Sequence, residues 1–317
     1  MNYKKKRANR ANNLIFKNIN INIRHKFLKL MVQRYISSEE VSNILGVNVS
    51  TIKRWTDAGK LDCVITAGGH RKFLMRHVSA FLNDNSKYRS KLNILPYDSS
   101  EERQLNQLIL TGQISQLRDI FLDKALAGNR ELCNQIMTGL YLSGTNLYKI
   151  YDDLVSPVFR HIGSEWHAGR MPIYKEHIAT NTLQTCIHGL YSIINKPSKK
   201  EGLSICIGIR GDMHDIPLMI VEQILLTKGY DVINTGINTP LDKIESLFDI
   251  SHPNRIYVSC TWIENESHVI EDLNKIFEIN QKINAQIFLC GPLFNKLKLS
   301  KDYNYNFIKS FKQLSSD

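Results

Sequence analysis

At 317 residues with 43% apolar side chains, the chain is too long for one ordinary compact core, so two or three domains are expected. Its formal net charge of +11 is concentrated at one end: residues 1–36 hold ten Lys or Arg and no acid, residues 37–90 hold eight bases against five acids, and the remainder is slightly acidic. No apolar run approaches the roughly 20 residues of a membrane-spanning helix, the first residues lack the apolar core of a secretory signal, and the six cysteines are scattered without a CxxC pair. These features speak against a membrane protein, a disulfide framework or a structural zinc site, and for a cytoplasmic protein with buried free thiols.

The Asn- and Lys-rich stretch 1–34 has no periodicity before Phe27, Leu28, Leu30 and Met31 and reads as a flexible basic arm. Two readings stand for it: an auxiliary contact to nucleic-acid phosphates, or a segment ahead of a true start at Met31. From Tyr35 the pattern is ordered. Ser37-Ser38-Glu39-Glu40 opens a short helix with Val41, Ile44 and Leu45 on one face, ended by Gly46. Asn48 is placed to cap a second helix, Val49 to Ala58, closed by Gly59. This helix turns Val49, Ile52 and Trp55 inward and leaves Ser50, Thr51, Lys53, Arg54 and Asp57 facing out. Leu61 to Thr66 and Arg71 to Leu74 read as strands around the turn Ala67-Gly68-Gly69-His70, a hairpin wing with a basic tip. Two short helices and a wing in this order give the geometry that sets a helix in a major groove.

In Val41 to Trp55 and in Thr66-Ala67-Gly68-Gly69-His70-Arg71 the sequence resembles the MerR family. The resemblance implies a winged helix-turn-helix domain over 35–84 that binds double-stranded operator DNA. In it Ser50, Thr51, Lys53 and Arg54 would face base edges and phosphates, with His70, Arg71 and Lys72 gripping the backbone. After a closing helix, Met75 to Leu82, the polar stretch 85–100 with Pro96 reads as a linker. No sustained heptad is present, so self-association is expected to use the C-terminal part.

Residues 101–198 show helical spacing in Leu105, Leu108, Ile109; Ile114, Leu117, Phe121; Leu132, Ile136, Leu140; and Leu154, Val158, Ile162, a bundle of about four helices. In 199–317 strand-like runs (Leu203 to Ile209, Tyr230 to Gly236, Arg255 to Thr261, Ala285 to Gly291) alternate with helical ones. That alternation predicts a Rossmann-like (flavodoxin-like) parallel sheet covered on both faces. The expected fold class is therefore multi-domain, α and α/β. Ligands of such sheets bind at the C-terminal ends of the strands, where Gly211-Asp212-Met213-His214-Asp215-Ile216-Pro217, Thr235-Gly236, Ser259-Cys260-Thr261 and Cys290-Gly291-Pro292 share one rim. There His214 offers an imidazole nitrogen to a metal, and Asp212 can orient the ring through the other nitrogen.

This rim resembles the cobalamin-binding domain, whose Asp-x-His-x-x-Gly motif supplies the lower axial histidine and whose serine and Gly-Gly motifs surround the nucleotide tail. Asp212, His214, Ser259, Thr261 and Gly291 match; Pro217 and Pro292 stand where glycines are expected. Pro217 is compatible with the first turn of a helix, whereas close approach of a ligand to the backbone favours glycine. In the bundle, Trp166 and the Glu176-His177 pair after nine intervening residues resemble the cobalamin-dependent photoreceptor repressors of the CarH/LitR kind. That resemblance implies adenosylcobalamin as cofactor, with His214 as lower axial cobalt ligand and Trp166 capping the upper face. It further implies that His167 takes the upper axial position after photolysis, that Glu176 and His177 line that face, and that a homotetramer forms when loaded. The implied protein is a repressor and not an enzyme. Two other functions are compatible with the residues. One is a MerR-like regulator whose degenerate site, marked by Pro217 and Pro292, no longer uses cobalamin or uses another ligand. The other is a corrinoid carrier for methyl transfer, against which the winged helix and the lack of a nucleophile or acid/base pair both speak.

Overall fold

The computed structural model describes residues 34–95, 99–297, 299–300 and 303–316; the basic arm, the choice between Met1 and Met31, and Pro96 lie outside the described residues. The chain divides into two compact units at Phe81/Leu82. Among the described residues no helix is long and apolar enough to cross a membrane.

The first unit contains β1 (Ile36–Ser37), α1 (Ser38–Leu45), α2 (Val49–Asp57), β2 (Val64–Ile65), β3 (Arg71–Phe73) and the start of α3 (Met75–Asp84). A reciprocal cap starts α1: the Glu40 amide donates to Ser37 Oγ (3.1 Å) and the Ser37 amide to the Glu40 carboxylate (2.7 Å). Gly46 ends α1 in the left-handed conformation, φ 61°, where a side chain would be strained. Asn48 does sit at the N-cap of α2, but its side chain makes no capping hydrogen bond. Its carbonyl accepts from the Thr51 and Ile52 amides instead. Val41, Leu45, Ile52, Trp55, Leu61, Phe73, Val78 and Phe81 form the core, with the Trp55 and Phe81 rings 4.6 Å apart. The first wing strand is shorter than its apolar run because Leu61 leaves it for the core, donating its amide to the Trp55 carbonyl. β1, too short to show periodicity, pairs with β3 and completes a sheet of order β1-β3-β2.

The second unit begins with the stretch expected as a linker, and that expectation is corrected here. Ser86–Lys91 is a 3-10 turn, Leu92 and Leu95 are buried, and Asn106 brackets the segment by donating to the Leu92 carbonyl and accepting from the Ile94 amide. The three apolar side chains, diluted in a polar window, anchor it to the bundle.

The bundle follows as α4 (Ser100–Leu110), α5 (Ile114–Leu126), α6 (Arg130–Leu142), α7 (Ser156–His167) and α8 (Ile173–Leu190). α7 is entered through a helical turn, Leu147–Lys149, and a π-helical stretch, Ile150–Val155.

The α/β part runs β4 (Gly202–Gly208), α9 (Ile216–Thr227), β5 (Tyr230–Asn234), α10 (Ile244–Ser251), β6 (Arg255–Ser259), α11 (Ser267–Ile283), β7 (Gln286–Cys290), β8 (Asn306–Ile308) and α12 (Phe311–Ser316). All five strands are parallel, in the order β5-β4-β6-β7-β8. β8 is the strand that periodicity missed, being three residues long between polar flanks. Ile205, Ile207, Ile256, Val258, Ile287 and Leu289 alternate onto one face and pack with Phe248 of α10 and Val269, Leu273 and Ile276 of α11. Five of the six cysteines are buried; burial pushes the Cys133, Cys186, Cys260 and Cys290 thiols up to about 12, so they act as small apolar side chains.

The bundle is joined to the sheet along α8 and α9. Gln223, fully buried on α9, donates to the Ile187 carbonyl (2.7 Å) and accepts from the Tyr151 hydroxyl, while the Tyr191 hydroxyl donates to the Met219 carbonyl. The π-helical stretch carries Tyr151 to this joint and places Asp152 to accept from the Phe311 and Lys312 amides, capping α12.

Candidate functional site

The strand order fixes where a ligand would sit. From β4 the chain crosses to β5 on one side and then to β6 on the other, so the loops leaving β4 and β6 part at a switch point and leave a crevice between them. Asp212, only 1% exposed, ties the two loops together. Its Oδ1 accepts from the His214 amide (3.1 Å) and lies 2.6 Å from His214 Nδ1, and its Oδ2 accepts from the Thr261 amide (2.6 Å). A carboxylate holding Nδ1–H leaves Nε2 as the nitrogen with an open lone pair, on a side chain 49% exposed. The hydrogen bond to Asp212 raises the His214 pKa, burial opposes it, and the charges of Asp212, Asp215 and Glu176 add to the rise. Gly211, at φ 95°, lets the chain turn out of β4, its amide donating to Asn238.

Deeper in the crevice, Ser259 is buried and its hydroxyl, like that of Thr261, has no partner among the described residues. Gly291 is needed for a reason internal to the fold: a Cβ there would lie 2.2 Å from the Cys260 carbonyl oxygen, at φ 116°. Gly208, which the motif reading passed over, is equally tight, 2.8 Å from the Gly236 carbonyl. The two prolines fit locally. Pro217 lies in the first turn of α9, where its missing N–H is no loss, and Pro292, itself exposed, opens the 3-10 turn Pro292–Asn295.

The bundle contributes the corner between α7 and α8. Gly169, at φ 69°, and Pro172, the N-cap of α8, make the turn, and the Arg170–Glu165 ion pair pins it. Trp166 is 41% exposed, its ring 4.6 Å from that of His167. Glu176, in the first turn of α8, accepts from the Thr180 hydroxyl and lies 3.5 Å from His177 Nε2. Further along α8 Gln184 donates to Asp215, which ties this helix to the His214 loop. Met213 and Trp262, the latter 59% exposed, stand on the two loops that Asp212 joins; Ile173, Tyr174 and Ile178 are exposed on α8. None of these five was singled out from the sequence, although Trp262 follows Thr261 directly. Met213 and Trp262, exposed on the two loops beside the open histidine nitrogen, suit a ligand with a broad apolar surface. Among the described residues no three metal-binding side chains cluster. A single imidazole suits a metal that brings its own in-plane ligands.

In the first unit, Ser50, Lys53 and Arg54 are exposed on α2 and Thr51 is half-buried beside them. His70 stands exposed at the wing tip, its amide donating to Thr66 Oγ1. Arg71 differs from the expectation: its Nη2 donates to Asp57 Oδ1 at 2.5 Å and the side chain is three-quarters covered. Lys72 is half-buried and close enough to Glu40 to lower its pKa.

These two units make the chain a protein that couples a helix-turn-helix DNA-binding domain to a B12-binding domain, of mixed α and α/β architecture. The family described as helix-turn-helix domain matches residues 35–86, and that described as B12 binding domain matches residues 117–190, the helical part beside the crevice. The chain is similar to two putative resolvases of Acanthamoeba polyphaga mimivirus. One is 22% identical over 170 residues, 54% of this chain and 85% of the relative; the other is 26% identical over 121 residues, 38% of this chain and 60% of the relative. Among solved structures it is similar to the Methanosarcina barkeri monomethylamine corrinoid protein, with a TM-score of 0.52 and 12% identity over 64% of this chain and 96% of the other. At that identity the likeness is one of fold.

Proposed function

We propose that this protein is a DNA-binding transcriptional regulator, acting as a repressor, whose α2 and wing read operator DNA and whose second unit senses adenosylcobalamin and light. The observation that carries the sensing is the Asp212–His214 pair at the switch point, with Nδ1 held, Nε2 open and the Ser259 and Thr261 hydroxyls unpartnered beside it. His214 would hold the cobalt from below, with Ser259, Thr261 and the backbone at Gly291 around the tail. Trp166, Glu176 and His177 would line the side of the cofactor that the bundle covers, and His167 would offer it a second imidazole. When bound, the cofactor supplies a light-sensitive cobalt–carbon bond. DNA reading would rest on Ser50, Thr51, Lys53 and Arg54 with His70 and Lys72, and a tetramer would raise affinity by joining several reading heads.

The test is an absorption spectrum of the full chain mixed with adenosylcobalamin in darkness and then lit, with duplex binding followed in both states. A retained corrinoid with histidine-ligated cobalt, lost in His214→Ala, and DNA release on illumination are expected. A chain that retains no corrinoid overturns the sensing half; light-insensitive DNA binding by a loaded chain overturns the photochemical part alone.

A further inference from the structure

The sequence places Arg71 among the residues that grip DNA, but the structure turns it inward across the domain. Its guanidinium meets the carboxylate of Asp57, the last residue of α2, 14 positions earlier in the chain. Arg71 lies on β3, the strand shared by both wing pairings, where its register partner is Ile65. The pair is therefore a strut between the groove-reading helix and the wing. The other cation on β3, Lys72, lies near Glu40, itself held by Ser37 and by Arg34. Arg71 is thus the wing-strand cation held by a carboxylate at ion-pair distance, while His70 stands exposed at the wing tip.

We infer that Arg71 and Asp57 are positioning residues: they set the angle of the wing against α2 and do not themselves contact DNA. This rests on the DNA-binding reading of the first unit. The physical case is that Asp57, 64% exposed at its side chain on the reading helix, is a charge that phosphates repel. An unpaired carboxylate there would weaken binding, and Arg71 neutralises it. A guanidinium already held by a carboxylate releases no phosphate counterion.

The experiment measures binding of the full chain to a mixed-sequence DNA duplex over a series of KCl concentrations, for the wild type, Asp57→Asn, Arg71→Gln, Arg71→Lys and the Asp57→Asn/Arg71→Gln double variant. As a strut, Arg71→Gln weakens binding by about three- to fivefold, the size expected of a partly covered ion pair, and Asp57→Asn does not tighten it although it removes a charge that phosphates repel. The double variant is then no weaker than the worse single one, Arg71→Lys behaves like Arg71→Gln because the shorter lysine does not reproduce the Nη2–Oδ1 contact, and the slope of log affinity against log salt is unchanged. Tighter binding by Asp57→Asn, a salt slope reduced by about one in Arg71→Gln, or full affinity in Arg71→Lys would each make Arg71 a phosphate contact and overturn the inference. A wild-type chain that binds no duplex removes the DNA-binding reading instead. Thermal melting of the same five proteins then judges the strut: coupling between the two sites supports it, and additivity overturns it.

Discussion

Ser259 is the residue at which a ligand-dependent role and a structural one make opposite forecasts. Its hydroxyl is buried without a partner, a state that costs about 1–3 kcal/mol. Ser259→Ala is expected to leave the ligand-free protein unchanged or stabilise it by about 1 kcal/mol in urea denaturation, while weakening corrinoid retention. A loss of ligand-free stability would mean that the hydroxyl serves the fold. Gly291 is the reverse case. Its motif suggests a ligand passing close by, yet the close neighbour is the Cys260 carbonyl. Gly291→Ala combines that clash with a left-handed backbone and is expected to cost on the order of 2 kcal/mol or more, measurable without any cofactor. Legibility differs in the same way. Asp212 and His214 could be picked out because two residues apart on one loop is a local spacing. Gln184–Asp215 could not be, since its partners are 31 positions apart and ordinary in type.

The best-defined helix start, α1, gives a prediction with a pH sign. The Ser37 amide donates to the Glu40 carboxylate and holds its pKa below the ordinary value, with partial burial opposing the effect. A lowered carboxylate pKa means that the stabilising charge is fully present above the ordinary carboxylate range and is lost as pH falls through the lowered value. Ser37→Ala is expected to cost about 1 kcal/mol at neutral pH, and the difference in melting temperature between wild type and Glu40→Ala should shrink as pH falls through the lowered pKa of Glu40. A difference independent of pH would show that the charge of Glu40 contributes nothing. The helices, wing and four strands of the sheet were legible at this scale because each carries its own period and stop signals. β1, β8 and the π-helical stretch were not, because two or three residues cannot display a period and a π turn differs from an α turn by a single residue of spacing.

Across the second unit, Gln223 is the fully buried polar side chain at the joint between bundle and sheet. Replacing it with leucine would leave the Tyr151 hydroxyl and the Ile187 carbonyl without partners in a fully buried joint, at a cost of about 2–5 kcal/mol. Hydrogen exchange should then quicken along α8 and α9 more than in the strands, and the start of α8 should lose its hold over the crevice. Unchanged exchange in α8 would mean that the remaining contacts fix the bundle without Gln223.

By itself the sequence determined the two-part plan, a winged helix-turn-helix followed by helices and a parallel sheet, because periodicity, caps and turn residues act over a few positions. It also determined which loops carry chemistry, since the C-terminal ends of the strands follow from the alternation. Only the tertiary structure decided which of those residues meet. It tied Asp212 to Thr261 on the second loop, bound Gln184 to Asp215, turned Arg71 to Asp57, and made the stretch after α3 part of the bundle. These are contacts between positions far apart in the chain, and what selects them is the exclusion of water from a shared core and the need of buried polar groups for partners, neither of which leaves a local pattern.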